Sequence, residues 1–133
     1  MFLPVTTLVA VIIASLFVFL SVRVIGERRS GKVPIGDGGN ETLQRRIRGQ
    51  ANLAEYGPIG LFLIFLAELQ STGSILLLPL AAIFVAGRLM HGYAFGLKEH
   101  AVRSRVLGMQ CTLLGIVALI SLNLWVLLLN FIR

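Results

Sequence analysis

Three long stretches of this chain carry no charged side chain: Met1 to Val22, Leu69 to Gly87 and Val106 to Ile132. Each approaches or exceeds the roughly 20 residues that a helix needs to cross a hydrocarbon layer of about 30 Å. A fourth stretch, Gly49 to Ala67, is interrupted only by Glu55. Lipid offers no partner for backbone N–H and C=O groups, so such segments satisfy them internally, as helices. Charge content also argues against a soluble domain: 14% of residues are Asp, Glu, Lys or Arg, against about 25% in soluble globular chains. The expected fold is all-α, a polytopic four-transmembrane-helix bundle filling residues 1–133 as one domain. Its helices are expected at about 3–24, 42–70, 74–95 and 103–130.

The first span is not expected to be a cleaved signal peptide. No Lys or Arg precedes it, and it exceeds the roughly 7–15 residues of a signal-peptide core. It ends in the basic cluster Arg23 to Arg29, a stop at a cytoplasmic face. The net charge is +6, unevenly placed. Seven of the twelve Lys and Arg lie between Arg23 and Arg48, and Arg88, Lys98, Arg103 and Arg105 flank or occupy the third connection. The second connection, Gln70 to Ser74, has none. This positive-inside asymmetry places connections one and three in the cytoplasm and both termini outside, periplasmic for a bacterial inner membrane. No nucleic-acid partner is expected, because the basic clusters sit at helix ends without interleaved aromatics. Cys111 is the only cysteine. In an apolar helix it reads as a small buried hydrophobe rather than a nucleophile.

The first connection holds Gly31, Pro34, Gly36, Gly38 and Gly39, residues that permit tight turns. No Gly-Lys-Ser/Thr follows, so it is not a phosphate-binding P-loop. It serves as a plain turn or lies over a site. Asn40 or Thr42 is placed to cap helix 2. Within that helix, Arg45, Arg48, Asn52, Glu55 and Tyr56 share a stripe roughly 100° wide. The stripe runs from a basic surface into the apolar layer. Ionisable groups there face a partner or a polar cavity, so the stripe is a candidate binding site for a charged ligand between helices. Arginine forks suit carboxylates, and Glu55 suits an ammonium group. An internal Arg48–Glu55 or Arg88–Glu55 pair that only fixes packing is the structural alternative.

Helix 3 adds Arg88 and His91 on one face, with Phe95 on the same stripe and Tyr93 on another. His91 fits a ligand contact or a satisfied interfacial histidine equally. No metal site is expected, since His100 lies in a connection and no Cys/His cluster exists. Arg103-Ser104 opens helix 4. It can stabilise an anion by charge, hydroxyl and helix dipole, or Arg103 can snorkel to the membrane surface, as Arg105 is expected to do. Ser104, Gly108, Cys111 and Gly115 form a stripe of small residues suited to close helix packing. No Ser/His/Asp or Cys/His catalytic set is apparent, so the substrate must bring its own nucleophile.

The run Arg45-x-x-Arg48-x-Gln50-x-Asn52-x-x-Glu55-Tyr56-x-Pro58 resembles the signature of the MAPEG family, membrane-associated proteins in eicosanoid and glutathione metabolism. Arg28-Arg29 resembles the basic pair opening that family's first cytoplasmic loop. Gly87-Arg88-Leu89-Met90-His91 resembles its third-helix motif, and Arg103-Ser104 the start of its fourth helix. With Gly36-Asp37-Gly38-Gly39, the chain is most similar to the bacterial, YecN-type inner-membrane branch, alongside microsomal glutathione transferases. Two features depart from prostaglandin-synthase-like members: Phe95 replaces a tyrosine, and His91 lies one residue nearer the Arg-Ser pair.

The resemblance implies a homotrimer that binds glutathione as co-substrate at a subunit interface open to the cytoplasm, with no metal. It implies glutathione contacts from Arg28, Arg45, Arg48, Asn52, Glu55, Tyr56, Arg88, His91 and Tyr93. Arg103, with Ser104, would hold the thiolate. A positive charge about 4 Å away is worth about 4 kcal/mol at an effective dielectric near 20. A fraction of that brings a thiol with an ordinary pKa of about 8.5 close to neutral pH.

The leading expectation is therefore a glutathione transferase or peroxidase acting on lipophilic electrophiles or lipids from the bilayer. A non-catalytic lipid- or ligand-binding protein would use the same pocket. A small proton-coupled transporter needs one titrating carboxylate in a largely apolar cavity. The arginines around Glu55 suit a fixed charge instead.

Overall fold

The computed structural model describes residues 2–70, 74–96 and 101–132. The connections at 71–73 and 97–100, with Lys98 and His100, lie outside the described residues. Four helices make up the fold: α1 (Pro4–Gly31), α2 (Glu41–Leu69), α3 (Ser74–Gly96) and α4 (Val102–Ile132). All four are long and apolar enough to cross a membrane. No strand occurs among the described residues.

Helix α1 runs seven residues past its expected end at residue 24. Leaving the membrane does not end a helix, because water hydrates a polar helix without unwinding it. Glu27, Arg28 and Arg29 are good helix formers, and the two arginines stand in the last turn, where the dipole favours cations. The helix stops where Lys32 turns left-handed, at φ 52°, and Val33 N–H donates back to Arg28 O at 3.0 Å. The basic pair Arg28-Arg29 thus belongs to the helix, not to the loop after it.

The first connection is pinned in place. Arg28 Nη1 donates to Gly36 O at 2.8 Å, and Asp37 accepts from Gly39 N–H at 3.0 Å. Gly36, Gly38 and Gly39 all take positive φ. Asn40 is the cap of α2: its Oδ1 accepts from Leu43 N–H at 3.0 Å. At the other end of the bundle, Glu68 caps a different helix. Its two carboxylate oxygens accept from Val5 N–H (2.9 Å) and Thr6 N–H (2.7 Å) at the start of α1. Pro4 in the first turn needs no such acceptor.

Helices α2 and α3 form the central pair. Helix α1 packs on both, α4 packs on both, and α1 and α4 do not touch among the described residues. The core draws on all four helices, through Leu20, Leu53, Ile64, Leu77, Phe84, Ile116 and Leu119. Glycines set the spacing. A Cβ on Gly60 of α2 would fall 2.2 Å from the Phe84 ring, and one on Gly115 of α4 would fall 3.1 Å from Phe84 Cα. Phe84 therefore fills the notch between α2 and α4. The small-residue stripe of α4 makes its close approach to α3 at Gly108 and Gly115, both buried. Large apolar side chains such as Val18, Leu114 and Trp125 remain on the outside, as suits a surface solvated by lipid.

Arg46 ties α2 to α1. Its guanidinium pairs with Glu27 at 2.6 Å and donates to Arg23 O at 3.2 Å. One turn further on, Gln50 donates to Ser21 Oγ at 2.8 Å. These contacts turn Arg46 and Gln50 toward α1. The α2 stripe containing Arg45, Arg48, Asn52, Glu55 and Tyr56 consequently faces away from α1.

Candidate functional site

The polar stripe on α2 divides into an outer and an inner part. The outer part is a basin of about 490 Å³ lined by Glu41, Gln44, Arg45, Arg48, Phe95 and Arg105. The inner part is a cavity of about 90 Å³ lined by Arg48, Ala51, Asn52, Glu55, His91 and Phe95. Arg48 and Phe95 belong to both walls. The basin and the cavity are thus adjacent, with one arginine and one ring at their boundary.

Phe95 is tightly placed. A Cβ on Gly49 would fall 2.5 Å from Phe95 Cβ, so only glycine at that α2 position admits the ring. His91 lies 4.8 Å from Phe95 between ring centroids. The Arg105 guanidinium lies over the Phe95 ring, 5.2 Å from its centre, within cation–π range.

Behind the cavity sits Arg88, only 1% exposed. Its Nε donates to Thr112 Oγ1 at 2.7 Å, its Nη1 to Asn52 Oδ1 at 2.8 Å, and its Nη2 lies 3.7 Å from the Met109 sulfur. The guanidinium lies over the Tyr56 ring, 5.4 Å from its centre. Thr112 passes its own proton to Gly108 O at 2.8 Å. Arg88 is therefore a knot joining α2, α3 and α4. Its bonding partners are neutral, and the Arg88–Glu55 pair weighed from sequence is not formed. Nor is Arg48–Glu55 formed, whereas Arg46 pairs with Glu27.

The residues singled out from sequence are distributed as follows. Arg45 and Arg48 line the basin; Arg48, Asn52, Glu55 and His91 line the inner cavity. Tyr56 and Arg88 form the wall behind them. Arg28 is not with them; it holds the first connection and lines a separate surface hollow with Arg29, Lys32, Val33 and Pro34. Tyr93 is 44% exposed on another face of α3. Arg103 is exposed in the first turn of α4 and Ser104 half-buried beside it, and neither lines the basin or the cavity. Arg105, expected as a membrane-surface anchor, lines the basin, with its guanidinium over the Phe95 ring.

Sequence reasoning missed Glu41, Gln44, Arg105 and Thr112. Two of these carried a readable signal. Continuing the period of about 100° per residue one turn back from Arg45 brings Glu41 and Gln44 onto the same side of α2.

These features define a class: a four-helix membrane bundle with a cationic, interhelical pocket at one end. The model of the MAPEG family matches residues 6–125. The inner membrane protein YecN of Escherichia coli K12 is 34% identical over 121 residues, covering 91% of this chain and 91% of its own. The YecN protein of Escherichia coli O6:H1 strain CFT073 matches to the same extent. The chain belongs to the MAPEG family.

Proposed function

We propose that this protein is a membrane-bound glutathione transferase- or peroxidase-like enzyme of the inner membrane. It works as a homotrimer, with the basin open to the cytoplasm. Glutathione enters the basin, its carboxylates meeting Arg45 and Arg48 and its ammonium group an acidic side chain. The inner cavity, with Asn52, Glu55 and His91, lies ahead of it. Arg88 and Tyr56 hold that wall. Arg103 and Ser104 stabilise the thiolate, whose sulfur attacks a lipophilic electrophile drawn from the bilayer. Arg28, Tyr93, Arg103 and Ser104 stand outside both hollows of a single chain, so a neighbouring copy has to bring in Arg28 and Tyr93, and a neighbouring copy or a shift of α4's first turn Arg103 and Ser104.

The observation that carries the reading is the continuity of basin and cavity along one α2 stripe, in a chain whose family is named for glutathione metabolism. Calorimetric titration of the detergent-purified protein with glutathione tests it, together with the ultraviolet absorbance of bound thiolate. Saturable binding and a thiolate signal lost in Arg103→Ala are expected. No binding overturns the reading.

One observation favours a second reading. Arg103 lies off the pocket, an arrangement suited to binding without thiol activation. Saturable glutathione or lipid binding with no thiolate signal in the wild type would select that reading.

A further inference from the structure

The hollow at the end of α1 lies away from the α2 stripe, and its cations have no task in the readings above. It measures about 410 Å³ and is lined by Arg28, Arg29 and Lys32 with the apolar Val33 and Pro34. Its shape is fixed by the loop. Arg28 is occupied, donating to Gly36 O at 2.8 Å and to Val33 O at 3.4 Å. A Cβ on Gly38 would fall 2.8 Å from Val33 Cγ2, so the chain closes directly on Val33. The neighbouring carboxylates are engaged elsewhere: Glu27 pairs with Arg46, and Asp37 accepts from Gly39 N–H. Arg29 and Lys32 are exposed, and among the described residues neither side chain has an ion pair or hydrogen bond.

Depth in the membrane indicates what such cations meet. Helix α1 has 28 residues, a length of roughly 42 Å. A bilayer with its headgroups is about 40–45 Å thick. The last turn of α1 therefore stands at the level of lipid phosphates. Just beyond it, Ile35 is 88% exposed. An isoleucine so exposed in a pinned loop is unfavourable in water and suits the layer where headgroups meet chains.

We propose that this hollow binds the phosphate of an anionic phospholipid between Arg29 and Lys32, with Ile35 set among the adjoining chains. The guanidinium offers phosphate oxygens a fork and the ammonium adds a point charge. A zwitterionic headgroup carries its own ammonium, which both cations repel, so the site selects net negative charge. The exposed isoleucine and the membrane level select a lipid over a soluble phosphate. Neither hollow of the α2 stripe takes part, so the proposal does not depend on the glutathione reading.

The test places a reporter in the loop. The chain's single tryptophan, Trp125, is exposed, so Trp125→Phe with Ile35→Trp gives a full-length protein that fluoresces from position 35 alone. It is reconstituted into vesicles of equal parts phosphatidylcholine and phosphatidylglycerol. In one set the phosphatidylglycerol carries brominated, quenching chains; in the other the phosphatidylcholine does. Surface charge is the same in both, so only local enrichment separates them. Phosphatidylglycerol is expected to be enriched at least about fivefold, the effect of one cation at an anionic surface. Adding Arg29→Gln and Lys32→Asn should equalise the two sets; asparagine tolerates the left-handed backbone of position 32. Arg48→Gln with Arg105→Gln removes the same charge from the basin at the same end of the bundle and should keep the enrichment. An unchanged elution profile checks that each variant is folded.

Equal quenching in the two sets by the protein with Arg29 and Lys32 intact overturns the proposal. So does enrichment that survives loss of both cations, or that falls equally in the basin variant, since the effect would then be general charge. Enrichment abolished by millimolar inorganic phosphate also overturns it, because the hollow would then be a site for soluble anions.

Discussion

At the scale of single residues, the informative contrast is between Arg88 and Arg105. Both are arginines on membrane-spanning helices, and only three-dimensional neighbours separate their roles. Arg88 turns inward because Thr112 and Asn52 offer acceptors at 2.7 and 2.8 Å. A lysine keeps the charge but presents a point rather than a fork, so it cannot span both acceptors. Arg88→Lys is expected to lower stability by about 2 kcal/mol, seen as a lower midpoint of thermal unfolding in detergent. It should also weaken the proposed glutathione binding, because Asn52 loses its anchor. Unchanged stability and binding would remove Arg88 from the wall of the site. The sequence made Arg88, His91 and Asn52 visible as polar interruptions of apolar helices. It did not reveal Thr112, since threonine in an apolar helix is unremarkable until its hydroxyl is seen beside a guanidinium. Arg105 was hidden for a similar reason: its ring partner is ten residues away across a connection, beyond any helical periodicity.

At the scale of elements, backbone proximity decides how α3 and α4 cross. A Cβ on Gly87 would fall 2.6 Å from Thr112 N, and one on Gly108 would fall 2.7 Å from His91 N. The obstructing atoms are main chain, so a rotamer change cannot relieve them and the helices must part. Gly87→Ala is expected to destabilise the bundle by roughly 1–3 kcal/mol, the usual range for overpacking. It should also reduce ligand binding, because Arg88 is the next residue. Gly26 supplies the opposite case. Nothing lies within 4 Å of a Cβ built there, and it sits inside α1. Gly26→Ala should therefore stabilise α1 by up to about 1 kcal/mol through helix propensity alone. Denaturant titration of both variants checks the pair; equal effects would show that propensity, not the crossing, governs these positions. Helix existence was legible because a charge-free run must be helical in lipid. The end of α1 was not, because the expected boundary followed the membrane surface, whereas the helix ends where Lys32 adopts a left-handed cap.

At the scale of the whole molecule, the uncovered face of α2 sets the problem. Gln44, Arg48 and Glu55 are exposed along it, followed by Ile59 and Phe62. The first half is too polar for lipid: a charged side chain at mid-membrane costs at least about 2.5 kcal/mol on insertion scales. The second half is apolar, with Phe62 58% exposed. A second copy that packs on the apolar half would close the polar half into a shared, water-filled site, which is the arrangement the proposed trimer requires. Cysteine cross-linking examines this directly. In a background with Cys111 replaced by alanine, Phe62→Cys should form disulfide-linked copies in the membrane under mild oxidant. Leu114→Cys, on α4 and 61% exposed, provides the comparison for a side chain facing lipid and should remain monomeric on the gel. Cross-linking at position 62 would make the α2 face an interface and explain how Glu55 is shielded from lipid. Equal cross-linking at both positions would indicate collision alone. None at position 62 would leave the polar stripe facing lipid, and the site would then have to be complete within one chain.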